Sequence, residues 1–288
     1  MTKPEPALRW LKLNFGDRLA QLTSKTPLPP ALLMTLAWQE TGLLWGKWAG
    51  KRAPEEILRL CVGDTLDAPQ RGAFPRTRAQ LEAWPGGARM FGVARSALEQ
   101  LGKVDATYAR VARNPDKFCH GFGMFQRDIQ AFKTDPDFFL AKRWETFEGT
   151  AAMAVSMLQA KLRVLYGAGK LTLSASECVY LAIAYNQGRA NTGLGPRQRY
   201  KQGFKDASGI YYGEHIAAVL PLAEKIWAEG ERVAKASLQN VFIPKPSPAK
   251  RVARKAAPPR APERKAFTHA AAWPVPVLPP TGNLFSGG

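Results

Sequence analysis

Cysteine is scarce in this sequence, and its scarcity excludes several classes of protein. Only Cys61, Cys119 and Cys178 occur among 288 residues. They are too few and too dispersed for a disulfide framework, and none has the CxxC spacing of a zinc site. We therefore expect free thiols, with no bound metal and no organic cofactor.

Long apolar runs are also missing. No uninterrupted run approaches the roughly 18 residues that a transmembrane helix needs, so we predict no membrane span. The first residues, MTKPEPALRWLKLNFGDRLAQL, carry charges among their apolar side chains and lack a small-residue cleavage site. This pattern argues against a Sec signal peptide, so action outside the cell would require another export route.

Acidic residues are outnumbered by basic ones. The chain has 41 Lys and Arg against 23 Asp and Glu, a net charge of +18, in a composition that is otherwise ordinary for a globular protein. Such a charge favours anionic partners, among them nucleic acid, acidic membrane surfaces and the bacterial wall. Composition does not choose between these partners.

The charge is partly concentrated in a C-terminal segment, residues 244–288, which holds 10 of the 23 prolines. Eight Lys or Arg residues face a single acid there, Glu263. This proline density, with little apolar periodicity, predicts a disordered basic tail. It acts either as a solvated linker or as a weak binder of anionic polymer, and residues 1–243 remain basic without it.

Residues 1–243 show helical patterns and no series of alternating strands, so we expect an all-α fold. SASECVYLAIAYNQG begins with a Ser174–Glu177 capping box and ends at Gly188. Short helices are expected in PEEILRL and GARMFGVARSALEQL, and the last long helix should be kinked or restarted at Pro221.

One helix carries an acid on its apolar side. In TPLPPALLMTLAWQETG, Pro29 and Pro30 suit the first turn, and Gly42 suits a left-handed C-cap. The apolar stripe continues onto Glu40, which is thus expected to face inward in the last helical turn. Burial and the helix dipole would both raise its pKa, as a general acid requires. The alternative is a Glu40 that bends to solvent or pairs with a cation.

Three short stretches combine residues of interest: WQETG at 38–42, GFGMFQ at 121–126 and IAYNQG at 183–188. Their order resembles the lytic transglycosylase (SLT) branch of the lysozyme-like superfamily, whose signatures are Glu-Ser, Gly-Leu-Met-Gln and Ala-Tyr-Asn-Ala-Gly. The corresponding residues here are Glu40-Thr41, Gly123-Met124-Phe125-Gln126 and Ala184-Tyr185-Asn186-Gln187-Gly188. GIYYGEHIAAVL looks like a later family helix, with Tyr211 or Tyr212 facing the cleft.

The resemblance implies a lysozyme-like fold that cleaves peptidoglycan glycan strands between N-acetylmuramic acid and N-acetylglucosamine. It makes Glu40 the catalytic acid, and it places Thr41, Gly123, Met124 and Gln126 at the sugar site. Tyr185 and Asn186 would orient Glu40 or the substrate. A specific nucleic-acid partner is not expected, and delivery as a phage lysin, as a secreted effector or behind a missed leader stays open.

The spacing departs from the family pattern, because about eighty residues separate Glu40 from Gly123. We interpret residues 49–118 as an inserted helical subdomain within a catalytic domain of residues 1–243. The insertion contains Asp64 and Asp67, and either one would make the enzyme a hydrolase if it activated water opposite Glu40. This arrangement resembles goose-type lysozymes. The alternative role for both aspartates is helix capping and turn formation.

Other aromatic and basic residues flank these motifs. Indole rings stack well on sugars, so Trp45 or Trp48 is expected to line the cleft, and His120 is expected to have a structural or sugar-contacting role. Two further functions remain open. One is a chitinase-like glycosidase on the same fold, and the other is a module that binds wall polymer or another polyanion without cleaving it.

Overall fold

The computed structural model describes residues 3–188 and 200–239, with side chains described up to residue 229. The helices are α1 (Pro4–Thr23), α2 (Pro30–Trp45), α3 (Pro54–Leu60), α4 (Arg78–Glu82), α5 (Gly87–Gly102), α6 (Ala106–Val111), α7 (Pro136–Leu140), α8 (Phe147–Tyr166), α9 (Ala175–Asn186) and α10 (Tyr212–Gln239). The prediction of a mainly helical protein is confirmed.

Within the described ranges, no helix has the length and apolar character that crossing a membrane would need. The predicted basic tail, residues 244–288, lies outside the described residues.

Helix α2 is the centre of the core. Pro29 and Pro30 begin it as predicted, and buried side chains then occur all around the helix, including Leu32, Leu33 and Leu36. A helix that is apolar on every side needs neighbours on every side. Helices α1 and α10 pack closely against it, and α8 and α9 also contact it.

The predicted end of this helix is wrong. Gly42 is not a left-handed C-cap, because α2 continues to Trp45 and ends at Gly46. A Cβ atom on Gly42 would lie 2.4 Å from the indole of Trp38, so the glycine makes room for packing inside the helix. Glu40 therefore lies before the last turn, and the helix dipole acts on it less than the sequence suggests.

The region between residues 49 and 118 contains the expected short helices at α3 and α5. It also contributes β1 (Val62–Gly63) to a small antiparallel sheet with β2 (Gly121–Phe122) and β3 (Arg127–Asp128), in the order β1-β2-β3. Val62 pairs with Phe122, and Gly121 pairs with Asp128. The sheet joins this region directly to the GFGMFQ segment.

The helix that carries IAYNQG has the predicted boundaries. The Ser174 and Glu177 side chains form the capping box at the start of α9, and Gly188 follows its end with a φ of 68°. The final helix, α10, continues through Pro221 as one element, so it does not restart there, and the kink at Pro221 stays a prediction. Cys61, Cys119 and Cys178 are buried and unpaired.

Candidate active site

The three predicted stretches meet at one cavity. It lies between α2, the small sheet, α8 and α9. Its lining comprises Glu40, Asp64, Gly121, Gln126, Arg127, Asp128, Met157, Tyr185 and Asn186. Five of these residues were selected from the sequence as functional candidates. Three carboxyl groups therefore line one cavity together with amide and phenol side chains.

Glu40 is partly buried on the helical side of this cavity. The Tyr212 hydroxyl donates a hydrogen bond of 2.6 Å to Oε1 of Glu40. Burial raises the pKa of Glu40 from 4.5 to about 7, and the Tyr212 hydrogen bond opposes part of that rise by stabilising the anion. The direction agrees with the expectation from the sequence, but its main cause is desolvation. This raised pKa lets Glu40 hold a proton near neutral pH.

Of the two candidate tyrosines in GIYYGEHIAAVL, Tyr212 contacts the acid and Tyr211 does not. Tyr212 is buried at the start of α10. The Tyr211 ring lies 5.4 Å from the ammonium of Lys205, and its backbone N–H donates to the Glu214 carboxylate. Helix α10 therefore contributes one phenol to the site.

Two polar side chains hold the GFGMFQ loop by its backbone. Thr41 donates a 2.7 Å hydrogen bond to the Met124 carbonyl, and Tyr185 donates a 2.6 Å hydrogen bond to the Phe125 carbonyl. The expectation that Met124 lines the sugar site is wrong, because Met124 is fully buried. Met157 of α8 is the methionine in the cavity lining.

The glycines of this loop leave room for neighbouring protein atoms. A Cβ on Gly121 would lie 2.1 Å from Oε1 of Gln126, and one on Gly123, whose φ is 78°, would lie 2.4 Å from Oγ1 of Thr150. Gln126 itself has a positive φ of 49° and donates from Nε2 to the Gly123 carbonyl at 3.0 Å. Gly123 therefore permits the turn that places Gln126 in the cavity, and it does not line the cavity.

Asp64 and Asp67 have different locations. Asp64 lines the cavity; its Oδ2 lies 3.2 Å from Arg71, and its Oδ1 accepts the Leu66 N–H. Burial raises the pKa of Asp64. Asp67 pairs with Lys117 at 2.7 Å and borders a separate surface pocket, so the structure does not place Asp67 beside Glu40.

A second aspartate, Asp128, and the arginine that holds it, Arg71, were not among the residues predicted from the sequence. Asp128 is 8% exposed, and Nη2 of Arg71 lies 2.8 and 2.9 Å from its two carboxylate oxygens. Burial raises the pKa of Asp128 to about 6, against the opposing charge of Arg71. Asp128 follows Gln126 by two residues, so its closeness to a predicted site residue could have made it a candidate. Arg71 lies 57 residues before Asp128, and no local pattern links the two residues.

Asn186 lines the cavity, and its Oδ1 accepts the Phe204 N–H at 3.1 Å. Its side chain therefore also fixes the segment that precedes α10. Asn186 and Tyr185 lie in the last turn of α9, which the sequence placed correctly. In the described part of the chain, Tyr185 and Asn186 form hydrogen bonds to backbone groups, and Tyr212 is the residue that donates a hydrogen bond to Glu40.

His120 and the tryptophans do not line the cavity. His120 is fully buried; its Nδ1 lies 3.1 Å from the Asp64 carbonyl, and burial lowers its pKa to about 3. A neutral His120 thus supports the backbone of Asp64. Trp45 is buried against Trp10 and Trp38, and Trp48 is also buried, so the expected sugar-stacking roles of Trp45 and Trp48 are wrong.

Comparisons with protein-family models, with curated proteins and with solved structures found no match. The family resemblance stays a prediction based on the three motifs.

Proposed function

We propose that this protein cleaves the β-1,4 bond between N-acetylmuramic acid and N-acetylglucosamine in peptidoglycan, as a lytic transglycosylase. The observation that carries the proposal is Glu40, which has a pKa of about 7, lies in the cavity lining and is hydrogen-bonded to Tyr212. A carboxyl group that is partly protonated near neutral pH suits general acid catalysis. The three motifs add support because they meet around this acid.

In the proposed reaction, protonated Glu40 donates its proton to the glycosidic oxygen as the bond to the muramic acid breaks. The resulting carboxylate then takes a proton from the primary hydroxyl of the same sugar. That hydroxyl attacks the anomeric carbon and closes an anhydro ring, so no water is consumed. The Tyr212 hydroxyl stabilises the Glu40 anion between the two steps and keeps the carboxylate oriented.

A hydrolytic muramidase is the second candidate, and the location of Asp64 favours it. Asp64 lines the same cavity as Glu40, and its pKa is raised by burial, which strengthens it as a base. An inverting hydrolase uses such a second carboxylate to activate water on the opposite face of the sugar. Arg71 would hold Asp64 in place for this role.

The test is mass spectrometry of the soluble products released from purified sacculi by the wild-type protein, Glu40→Gln and Glu148→Gln. Glu148 lies on an exposed face of α8 and pairs with Arg18, so its variant controls for loss of one acid. We expect anhydro-muramic ends from wild type and Glu148→Gln, with Glu40→Gln slower by about 10²- to 10⁴-fold.

Products with reducing muramic ends would contradict the transglycosylase and support the hydrolase, and Asp64→Asn would then test the second carboxylate. Absence of products from every variant would contradict the cleavage proposal. A binding module would then be indicated by sacculus binding that does not depend on Glu40 and that falls steeply with salt.

A further inference from the structure

We propose that Arg127 makes this cavity a binding site for a carboxylate on the glycan, so that the protein binds anionic strands more tightly than neutral ones. The inference rests on the proposed function, because it names the substrate class of the same cavity.

Arg127 is a buried cation in the cavity lining. It lies on β3 directly after Gln126, and its side chain is 10% exposed. Its ion partner, Asp135, lies 3.6 Å away and is 39% exposed. Nε of Arg127 is buried and has no hydrogen-bond partner among the described residues. The guanidinium also lies 5.7 Å from the centroid of the Phe138 ring, so its described partners are that ring and one long ion pair, and it retains unused donor capacity beside the cavity.

Arg71, in the same region, is an arginine whose donors are already bonded to protein groups. It is 3% exposed, and its donors reach Asp64, Asp128 and the carbonyls of Phe74 and Pro75. Arg71 is therefore occupied by the protein itself. Arg127 differs because it borders the cavity, has a weaker partner and keeps an unpaired N–H. Of these two arginines, Arg127 is the one available to a substrate.

The position of Arg127 suits an anion beside the scissile bond. Glu40, Arg127 and Tyr185 line the same cavity, and the Tyr185 phenol interacts electrostatically with both the acid and the cation. The causes of the Glu40 shift are burial and Tyr212, so Arg127 leaves the acid with its raised pKa. A ligand carboxylate at Arg127 would thus be bound by charge-assisted hydrogen bonds without neutralising the general acid.

Peptidoglycan offers such a carboxylate close to the bond that is cleaved. The lactyl group of N-acetylmuramic acid ends in a free carboxylate once the stem peptide has been removed, and the stem peptide itself carries carboxylates when present. Chitin oligosaccharides have the same β-1,4 backbone and neither acid. If the lactyl carboxylate is the ligand, an amidase reaction must supply this substrate by removing the peptide first.

The test measures binding and does not need turnover. Calorimetry in the Glu40→Gln background would compare three probes of equal length: a peptide-free muramic acid oligosaccharide, its peptide-bearing counterpart and a chitin oligosaccharide. Adding Arg127→Gln should weaken binding of a carboxylated probe by about 10-fold or more and leave the chitin probe unchanged. Arg127→Lys, which keeps the charge, should lose less. Adding the exposed Arg18→Gln instead should change none of them.

The outcomes separate the two proposals. If Arg127→Gln weakens binding of the peptide-free probe, the ligand of Arg127 is the lactyl carboxylate. If it weakens binding of the peptide-bearing probe alone, the ligand is a carboxylate of the stem peptide. Equal loss on all three probes, including chitin, or no loss on any, would overturn the inference. Failure of the wild-type protein to cleave sacculi would contradict the proposed function alone, because the binding data do not depend on cleavage.

Discussion

The carboxyl groups on the two walls of the cavity have different partners. On the helical wall, the hydrogen-bond partner of Glu40 among the described residues is the neutral Tyr212 hydroxyl. The other wall is formed by the sheet and the loop that follows β1, and there Asp64 and Asp128 both pair with Arg71. Burial raises the pKa of all three acids, but only the aspartates have a bound cation that opposes it.

This difference assigns separate tasks to the two walls. A neutral donor orients Glu40 and leaves its pKa near 7, so a proton is available for transfer. A buried cation keeps two aspartates close together with less repulsion and fixes their geometry. The comparison predicts that removing Arg71 affects stability, whereas removing Tyr212 affects the acid's titration.

The largest effect is expected from Arg71→Met, which breaks the cationic wall. It leaves Asp64 and Asp128 buried without their counter-ion, and loss of one partner of a buried pair costs about 3–5 kcal/mol. Denaturant unfolding near neutral pH measures this loss. The deficit should shrink in acid, where both aspartates become protonated.

Adding Asp64→Asn and Asp128→Asn to Arg71→Met provides the control, because it removes the unpaired charges. Stability should recover in part. An Arg71→Met variant as stable as wild type at neutral pH would contradict the role assigned to this wall.

A smaller effect is expected from the acid itself. The pKa of Glu40 is raised from 4.5 in the unfolded chain to about 7 in the folded protein, so the folded state binds its proton more tightly. The contribution of Glu40 to stability therefore falls as pH rises through this interval. Glu40→Gln should be more stable than wild type by up to about 3 kcal/mol at pH values above about 7, and the gain should vanish below about pH 4.

Thermal unfolding of both proteins across this pH range measures the difference. Glu148→Gln should show no such pH-dependent gain, because Glu148 is exposed. A Glu40→Gln variant whose advantage is the same at every pH would contradict the raised pKa.

The smallest effect is expected from Tyr212→Phe, which removes the hydroxyl from the helical wall. The pKa of Glu40 should rise further, because the hydrogen bond to the anion is lost. The turnover number should fall by about tenfold, and the alkaline limb of the pH–rate profile should move to higher pH. Tyr211→Phe is the matched control and should leave the profile in place. An unchanged alkaline limb in Tyr212→Phe would contradict the orienting role.

The sequence predicts the helical wall well and the sheet wall poorly. The inward position of Glu40 and the capping box of α9 are local patterns, and each is legible within one or two helical turns. Gly42 was misread because a glycine that avoids the Trp38 indole looks the same in sequence as a C-cap. Met124 and Trp45 were misplaced because an apolar side chain in a motif does not reveal whether it faces a ligand or the core.

The sheet wall depends on contacts between distant residues. Arg71 reaches Asp128 across 57 residues, and Val62 pairs with Phe122 through strands of two residues each. Strands this short have no detectable alternation, and no local signal links a loop arginine to its partner. The sequence could therefore name Asp64 as a candidate, but it could not distinguish Asp64 from Asp67.

The most direct measurement is the pKa of Glu40, obtained from the NMR titration of its side-chain carboxyl carbon, with Glu40→Gln used to assign the signal. We expect a midpoint of about 7 in the folded protein, displaced further upward in Tyr212→Phe. A midpoint near the ordinary 4.5 would mean that Glu40 is ionised at neutral pH, and it would contradict the assignment of Glu40 as the general acid.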